Sequence, residues 1–484
     1  MENAATSQHD LHVFMRNGTF LGIHGKSMKV FTLDEPSYRF LRLLEEGCEP
    51  AAAETRLVPE YGMTRSAEIA AGFPSFLEDL IADVQPRMAD KRDGPLVAEN
   101  LMLLAAEDCN LKCDYCFAGQ GSYGRAARRM DSATAFRAVD FVVDNGLLAS
   151  YCIVCYFGGE PMLAYDLVKE VTVYARRRIK QEAGRLVGFS LTTNGTILTP
   201  AQMDFLLVND IAVMISIDGT PELHDLYRKT KSGQGTFTRV AANSSRLIGR
   251  LKDSESKTHL VGRPTLTAHE PDPFKLFAYM EGLGFEHVII EPVSTDPHED
   301  MPFAVGDEHV ETFVRGYQRV CEAMRASILA QKGCAYSQVG WILSAIHHRQ
   351  PKQTSCNAGM RYFTVDARGD IYPCQRRVGL SDQVIGSVWQ GIDEERRQSV
   401  LPPPVDARPP CSTCWTRYFC GGGCPAESFR YYGADKTVIG WRCRMYQGVV
   451  ESCAWLYSEL ARAGAEALNH LIETQRPWQP GVLE

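Results

Sequence analysis

No run of about 18 apolar residues occurs in this 484-residue chain, so the sequence offers no candidate for a membrane-crossing helix. The first ten residues, Met1 to Asp10, lack the basic and then apolar order of a secretory signal, and the expected location is the cytoplasm. Positive charge is not in excess either. Lys and Arg number 51 against 59 Asp and Glu, a formal net charge of -8 with a pI near 5.9. Nothing general therefore attracts a phosphate backbone or an anionic surface, and neither nucleic acid nor a membrane is an expected partner. Internal repeats and long low-complexity tracts are missing, and 45% hydrophobic with 23% charged residues is ordinary globular usage.

What the chain has in abundance is cysteine, 16 residues. Cytosolic thiols are kept reduced, so this number points to metal ligation or redox chemistry before disulfides. The length predicts two or three domains. Residues 1–92 read as one unit, with strand-like segments at 11–14, 19–23 and 29–31 followed by three helical patterns, a winged-helix-like order. Residues 93–305 alternate strand-like runs (101–106, 153–157, 188–193, 212–217, 261–266, 287–291) with helical ones (133–143, 165–180, 200–207, 237–248, 273–283). That alternation predicts an α/β fold, a parallel sheet in the form of a partial (β/α)6 TIM-like barrel, with chemistry at the carboxyl ends of its strands. A helical connector is expected over 306–355, a cysteine-dense domain over 356–445 behind two proline clusters, and a helical tail over 446–484.

Directly after the first expected barrel strand comes Cys109-Asn110-Leu111-Lys112-Cys113-Asp114-Tyr115-Cys116, the spacing C-x3-C-x2-C. Three thiolates can hold three irons of a [4Fe–4S] cluster and leave the fourth open, whereas structural zinc prefers four protein ligands. Gly158-Gly159-Glu160-Pro161 follows the second strand, Thr193-Asn194-Gly195 the third and Ser216-Ile217-Asp218-Gly219 the fourth, with Arg228 beyond. Singly each piece is weak, since Asn-Gly is usually just a turn and a lone Arg a solvated charge. In this order they resemble the radical S-adenosylmethionine (SAM) superfamily.

The resemblance implies that Cys109, Cys113 and Cys116 are the catalytic cluster ligands and that SAM chelates the open iron, to be cleaved to a 5′-deoxyadenosyl radical. It implies cofactor contacts from Gly158, Gly159, Glu160 (to the SAM ammonium), Asn194, Ser216, Asp218 and Arg228 (to the SAM carboxylate). Tyr115 and Phe117 border the adenine on that reading, and are core aromatics on the plainer one.

Downstream, Cys356, Cys374, Cys411, Cys414, Cys420, Cys424 and Cys443 follow C-x12-G-x4-C, then C-x2-C-x5-C-x3-C, then C. This resembles the seven-cysteine SPASM domain of peptide-modifying radical SAM enzymes, which holds two auxiliary [4Fe–4S] clusters. The resemblance implies that Cys356, Cys374 and Cys424 ligate the first and Cys411, Cys414, Cys420 and Cys443 the second, three clusters in all. The first then has an open iron, the favoured reading, or is completed by Cys334. A zinc ribbon is the competing reading of the C-x2-C pair. Cys152 and Cys155, on an expected strand, read as core.

The N-terminal unit resembles a peptide-recognition domain that pairs a substrate leader with its sheet edge, the alternative being a structural cap. Residues 116–124 and 156–161 look most like thioether-forming maturases, such as those of quinohemoprotein amine dehydrogenase and of SCIFF peptides. The implied substrate is a peptide or small protein subunit with Cys and with Asp or Glu, and the implied electron donor is a flavodoxin or ferredoxin. Anaerobic sulfatase maturases place Asp after the G-x4-C cysteine, where this chain has Gln375, an amide that cannot accept the proton. Formylglycine formation, like epimerisation or carbon–carbon linkage, stays an alternative, as does a non-catalytic iron–sulfur protein. Arg376 and Arg377 read as a solvated basic turn, with pairing to substrate carboxylates the other reading.

Overall fold

The computed structural model describes residues 9–82, 96–294, 301–332, 335–433, 437–464, 466 and 468–469. Met1–Gln8, where a secretory signal would stand, and Cys334 lie outside the described residues. None of the described helices is long and apolar enough to cross a membrane.

The chain begins with an antiparallel sheet of β1 (Leu11–Arg16), β2 (Thr19–His24) and β3 (Lys29–Leu33). Asn17 and Gly18, at φ 47° and 74°, form the two-residue turn between the first two strands, whose twist suits a hairpin. Helices Glu35–Glu45, Pro50–Tyr61 and Met63–Ala82 follow, the first capped by the Asp34 carboxylate accepting from the Ser37 amide. Phe40, Leu41, Leu44, Leu57 and Leu80 bury against Leu11 and Val13, a core separate from the main one. The unit is tied to the far end of the chain. The His12 ring stacks 4.1 Å from Trp415 and bonds Glu451 at 2.9 Å, and Arg417 pairs with buried Asp10 at 2.7 Å.

The main sheet is built from β4 (Ala98–Glu107), β7 (Leu148–Gly158), β8 (Leu186–Thr193), β9 (Ile211–Ile215), β11 (Leu260–Gly262) and β13 (His287–Val288), all parallel and in chain order. Short strands decorate it. β5 (Leu111–Cys113) pairs with β10 (Arg228–Thr230), β6 (Arg128–Arg129) with β4, and β12 (Thr265–Leu266) with β14 (Glu291–Pro292). The strands expected over 261–266 and 287–291 are thus each broken in two. Pro264 has no amide to donate and interrupts the first.

Crossover helices start where local chemistry dictates. Thr199-Pro200, Thr220-Pro221 and Asp272-Pro273 each join a side-chain cap to a proline whose missing amide costs nothing in the first turn. The helix expected over 165–180 is α-helical only to Ala175 and continues as a π-turn, Arg176–Glu182, where Arg178 reaches Asp140 and Asp144.

The sheet does not stop at the expected boundary near residue 356. β15 (Tyr362–Val365) adds in parallel to the free side of β4 and continues antiparallel into β16 (Asp370–Tyr372), β17 (Gly386–Ser387) and β18 (Gly391–Ile392). Fully buried Glu107 fastens the join, its carboxylate accepting from Arg125 and Arg368 at 3.0 Å and from the Ala367 amide at 2.9 Å. The connector helices Val310–Leu329 and Ser337–His347 pack on Gly440–Ala463, which starts earlier than the expected tail and carries Cys443 in its first turn.

Candidate active site

The β5–β10 ladder sets Cys113 directly opposite Arg228, and a turn from the Cys113 carbonyl to the Cys116 amide, 3.2 Å, brings Cys116 back beside it. Burial pushes the Cys109 thiol up to about 11 and the Cys113 thiol up to about 12, and each lies close enough to the other two cysteines, or to one of them, to be raised further. All three line a cavity of about 460 Å³ where β4, β7, β8 and β9 end. Phe117, Gly158, Gly159, Asn194, Ser216 and Arg228 share the wall with them.

Arg228 is oriented by its neighbours. The Asp225 carboxylate accepts from the Thr236 and Phe237 amides, and buried His224, its pKa lowered to about 2 by burial, bridges the Asp218 amide and the Thr236 hydroxyl. The Arg228 guanidinium donates to the Tyr115 hydroxyl at 2.9 Å, which in turn donates to Asp218. Burial opposes the Arg228 charge, but Tyr115, Cys113 and Asp218 hold it protonated.

Two of the residues expected to contact the cofactor also have protein partners. Glu160 is fully buried, and its carboxylate accepts from the Met162 amide (3.0 Å), the Thr193 hydroxyl (2.8 Å) and the Asn194 amide (2.7 Å). It locks the loop after β7 to the end of β8. Asp218, 2% exposed, likewise serves Tyr115 and the Thr265 amide. The glycines also act through packing: a Cβ on Gly159 would lie 2.2 Å from the Asp108 carbonyl oxygen, so only glycine lets these two loops touch. Glu160→Ala should leave three donors without their acceptor and lower stability by about 3 kcal/mol, read as a drop in melting temperature and a weaker SAM complex. Unchanged melting and SAM affinity would show that the lock is dispensable.

Burial also raises Cys356, Cys374, Cys411, Cys420 and Cys443. Cys374 rises to about 12, with Cys424 and Cys356 adding to it, and these three are mutual neighbours. Cys411 rises to about 11 and Cys443 to about 12, with Cys414 and Cys420 among their neighbours. The structure therefore brings the ten cysteines together as three, three and four. Among the described residues no three His, Cys, Asp or Glu side chains close around a single ion. A cluster, by contrast, spreads its thiolates over several irons. Cys356, Cys420, Cys424 and Cys443 line a second cavity, of about 410 Å³, against the connector helices.

Sequence reasoning missed several wall residues. Cys155, read as core, lines the first cavity, as do Arg263, Glu291 and Tyr362. The basic turn is not solvated: Arg377 is buried, bonded to Gln383 and set over the Phe429 ring, while Arg376 lines the cavity above Phe117. Gln375 lines it too, accepting from the Tyr362 hydroxyl at 2.7 Å.

The model of the Radical SAM superfamily matches residues 104–278, the stretch that holds the cysteine loop and the strand ends of the cavity. A cysteine-type anaerobic sulfatase-maturating enzyme of Clostridium perfringens (strain 13 / Type A) is 32% identical over 346 residues, 66% of this chain and 86% of that one. The chain belongs to the radical SAM superfamily. Its fold matches that of native anSMEcpe with bound AdoMet (TM-score 0.61, 19% identity, 78% of this chain and 99% of that one). It also matches Streptococcus suis SuiB bound to the precursor peptide SuiA (TM-score 0.51, 14% identity, 89% and 98%). Family membership implies a [4Fe–4S] cluster and SAM. Three thiols grouped on one cavity wall, with Arg228 and Ser216 beside them, are a donor set of the right kind for both.

Proposed function

We propose that this radical SAM enzyme matures a peptide or small protein by joining cysteine sulfur to carbon of Asp, Glu or another residue, within the same chain. Cys109, Cys113 and Cys116 would hold the SAM-binding cluster. Arg228 and Ser216 would orient the SAM carboxylate, Glu160 would face the SAM ammonium, and Gly158, Gly159, Asn194 and Asp218 would border the rest, with Tyr115 and Phe117 at the adenine. Cys356, Cys374 and Cys424 would hold one auxiliary cluster and Cys411, Cys414, Cys420 and Cys443 the other, in a SPASM domain. Residues 1–92 would bind the leader.

Bound SAM supplies, on one-electron reduction, an oxidant that removes hydrogen from an unactivated carbon. The chain's own residues position the target, exclude water and hold charge, because such chemistry acts on whatever C–H is nearest. The observation that carries the reading is a single cavity walled both by the three-cysteine loop and by the turn after Cys374. It lets one peptide segment meet the SAM site while lying next to an auxiliary thiol set. Its wall residue Gln375 is an amide, which counts against the base-assisted oxidation of the sulfatase-maturating relatives.

The test is co-expression with small cysteine-containing peptides encoded nearby, followed by mass spectrometry. A thioether removes two hydrogens per link and makes one cysteine per link resistant to alkylation. Loss of sulfur, as in formylglycine made from cysteine, or a product of unchanged mass would reject the reading.

A further inference from the structure

The cavity wall carries three guanidiniums that differ in how the protein engages them. Arg228 has Asp218 and Tyr115 about it. Two other guanidiniums line the same wall, Arg263 just after β11 and Arg376 in the turn after Cys374. They are near enough to repel one another, and both draw on Glu291, while Asp218, the other carboxylate near Arg263, already accepts from Tyr115 and the Thr265 amide. Glu291 is fixed in turn: the Gln338 amide donates to it at 3.0 Å while accepting from the Ile290 amide at 2.9 Å. Glu427, the other carboxylate near Arg376, is already paired with Arg442. Among the described residues neither Arg263 nor Arg376 makes a side-chain hydrogen bond or ion pair, and Arg376 is steadied 5.3 Å over the Phe117 ring. Both half-buried guanidiniums therefore present donors to the cavity that the protein does not use, and buried donors of this kind are satisfied by a further acceptor.

We infer that Arg263 and Arg376 form a second anion seat in the cavity, apart from Arg228, that takes the side-chain carboxylate of an acidic residue in the peptide substrate. The inference rests on the peptide-maturase reading. Planar guanidinium forks match a planar carboxylate in two-point pairing, which also fixes the orientation of the attached methylene. One arm comes from the sheet and the other from the segment bearing Cys374. A carboxylate held between them would set its neighbouring carbon between the SAM site and the auxiliary thiols. Arg377, pinned to Gln383, takes no part.

The probes are the N-acetyl, N-methylamide derivatives of aspartate and glutamate, with the glutamine analogue as control, presented to the reconstituted, SAM-saturated holoenzyme with its clusters oxidised. Saturation-transfer NMR reads probe binding, and equilibrium dialysis reads SAM binding. The acidic probes should bind and the glutamine analogue should not. Arg263→Gln and Arg376→Gln should each weaken the acidic probes about tenfold and change SAM affinity less than about twofold, and Arg376→Lys should recover only part. Arg376 also neighbours Cys374 and Cys424, so an Arg376 variant that loses iron leaves the decision to Arg263, which has no thiol among its charged neighbours. Unchanged probe affinity in the iron-replete variants overturns the seat. So does SAM affinity falling in step with the probe, which would assign the seat to the cofactor's own carboxylate. A peptide product without a carbon–sulfur bond would remove the proposed reaction while leaving the probe result standing.

Discussion

Cys113→Ala abolishes reductive cleavage of SAM, with 5′-deoxyadenosine formation falling below about a thousandth of the parent rate. The expectation follows from position as much as from residue type. Cys113 ends β5, and its ladder partner is Arg228, so one short pairing fixes both the thiol proposed to hold the cluster and the guanidinium proposed to meet the SAM carboxylate. Removing the thiol leaves two cysteines, which cannot hold three irons of a four-iron cluster. The substitution itself is sterically mild, because alanine is compatible with the strand and β5 keeps its backbone bonds to β10. The loss should therefore appear with normal secondary structure and with the other two cysteine sets still binding iron. Iron content and the spectrum of the SAM-binding cluster, measured beside nucleoside release, separate this outcome from misfolding. Release at the parental rate would place the SAM-binding cluster elsewhere in the chain.

The legible part of this molecule is the part that repeats. Strand-like runs at 101–106, 153–157, 188–193 and 212–217 are all present as β4, β7, β8 and β9: β4, β7 and β9 are mostly apolar runs buried on both faces, and β8 alternates Phe189 and Leu191 with Ser190 and Thr192. The three-cysteine spacing was readable because its geometry is local: a turn and a three-residue strand set it. Glu160 was not. Its partners Thr193 and Asn194 arrive from the next strand, and nothing in Gly-Gly-Glu-Pro announces that the carboxylate turns inward to hold them. Arg263 was hidden for another reason. It lies inside a stretch that reads as one strand, and only the break at Pro264 frees the chain to aim it into the cavity. Arg376 and Arg377 show the limit of adjacency. A tight turn from the Cys374 carbonyl to the Arg377 amide sends one side chain to the cavity and the other into the core. The union of β15 with β4 was out of reach too, since pairing across more than 250 residues leaves no mark on local pattern.

Cys414→Ala separates cofactor chemistry from product formation. Cys411, Cys414, Cys420 and Cys443 neighbour one another, whereas none of them lines the cavity that holds Cys109, Cys113 and Cys116. Their loop is held by protein bonds that the substitution does not touch. Buried Arg408 donates to the Gly422 and Thr437 carbonyls at 2.6 Å, and Arg417 donates to the Cys414 carbonyl at 2.9 Å while pairing with Asp10. The fold around the SAM site should survive, and SAM cleavage should persist at about a tenth of the parent rate or better. The carbon–sulfur bond, however, is an oxidation that must discharge one electron, and the auxiliary sets are the chain's other candidates to receive it. Modified peptide should fall at least about tenfold more than 5′-deoxyadenosine does, so that each cleaved SAM yields less product. Equal losses of both would make the four-cysteine set a structural staple for the end of the chain. Cleavage and product both at the parent level, with the iron of that set lost, would show that the electron leaves by another path.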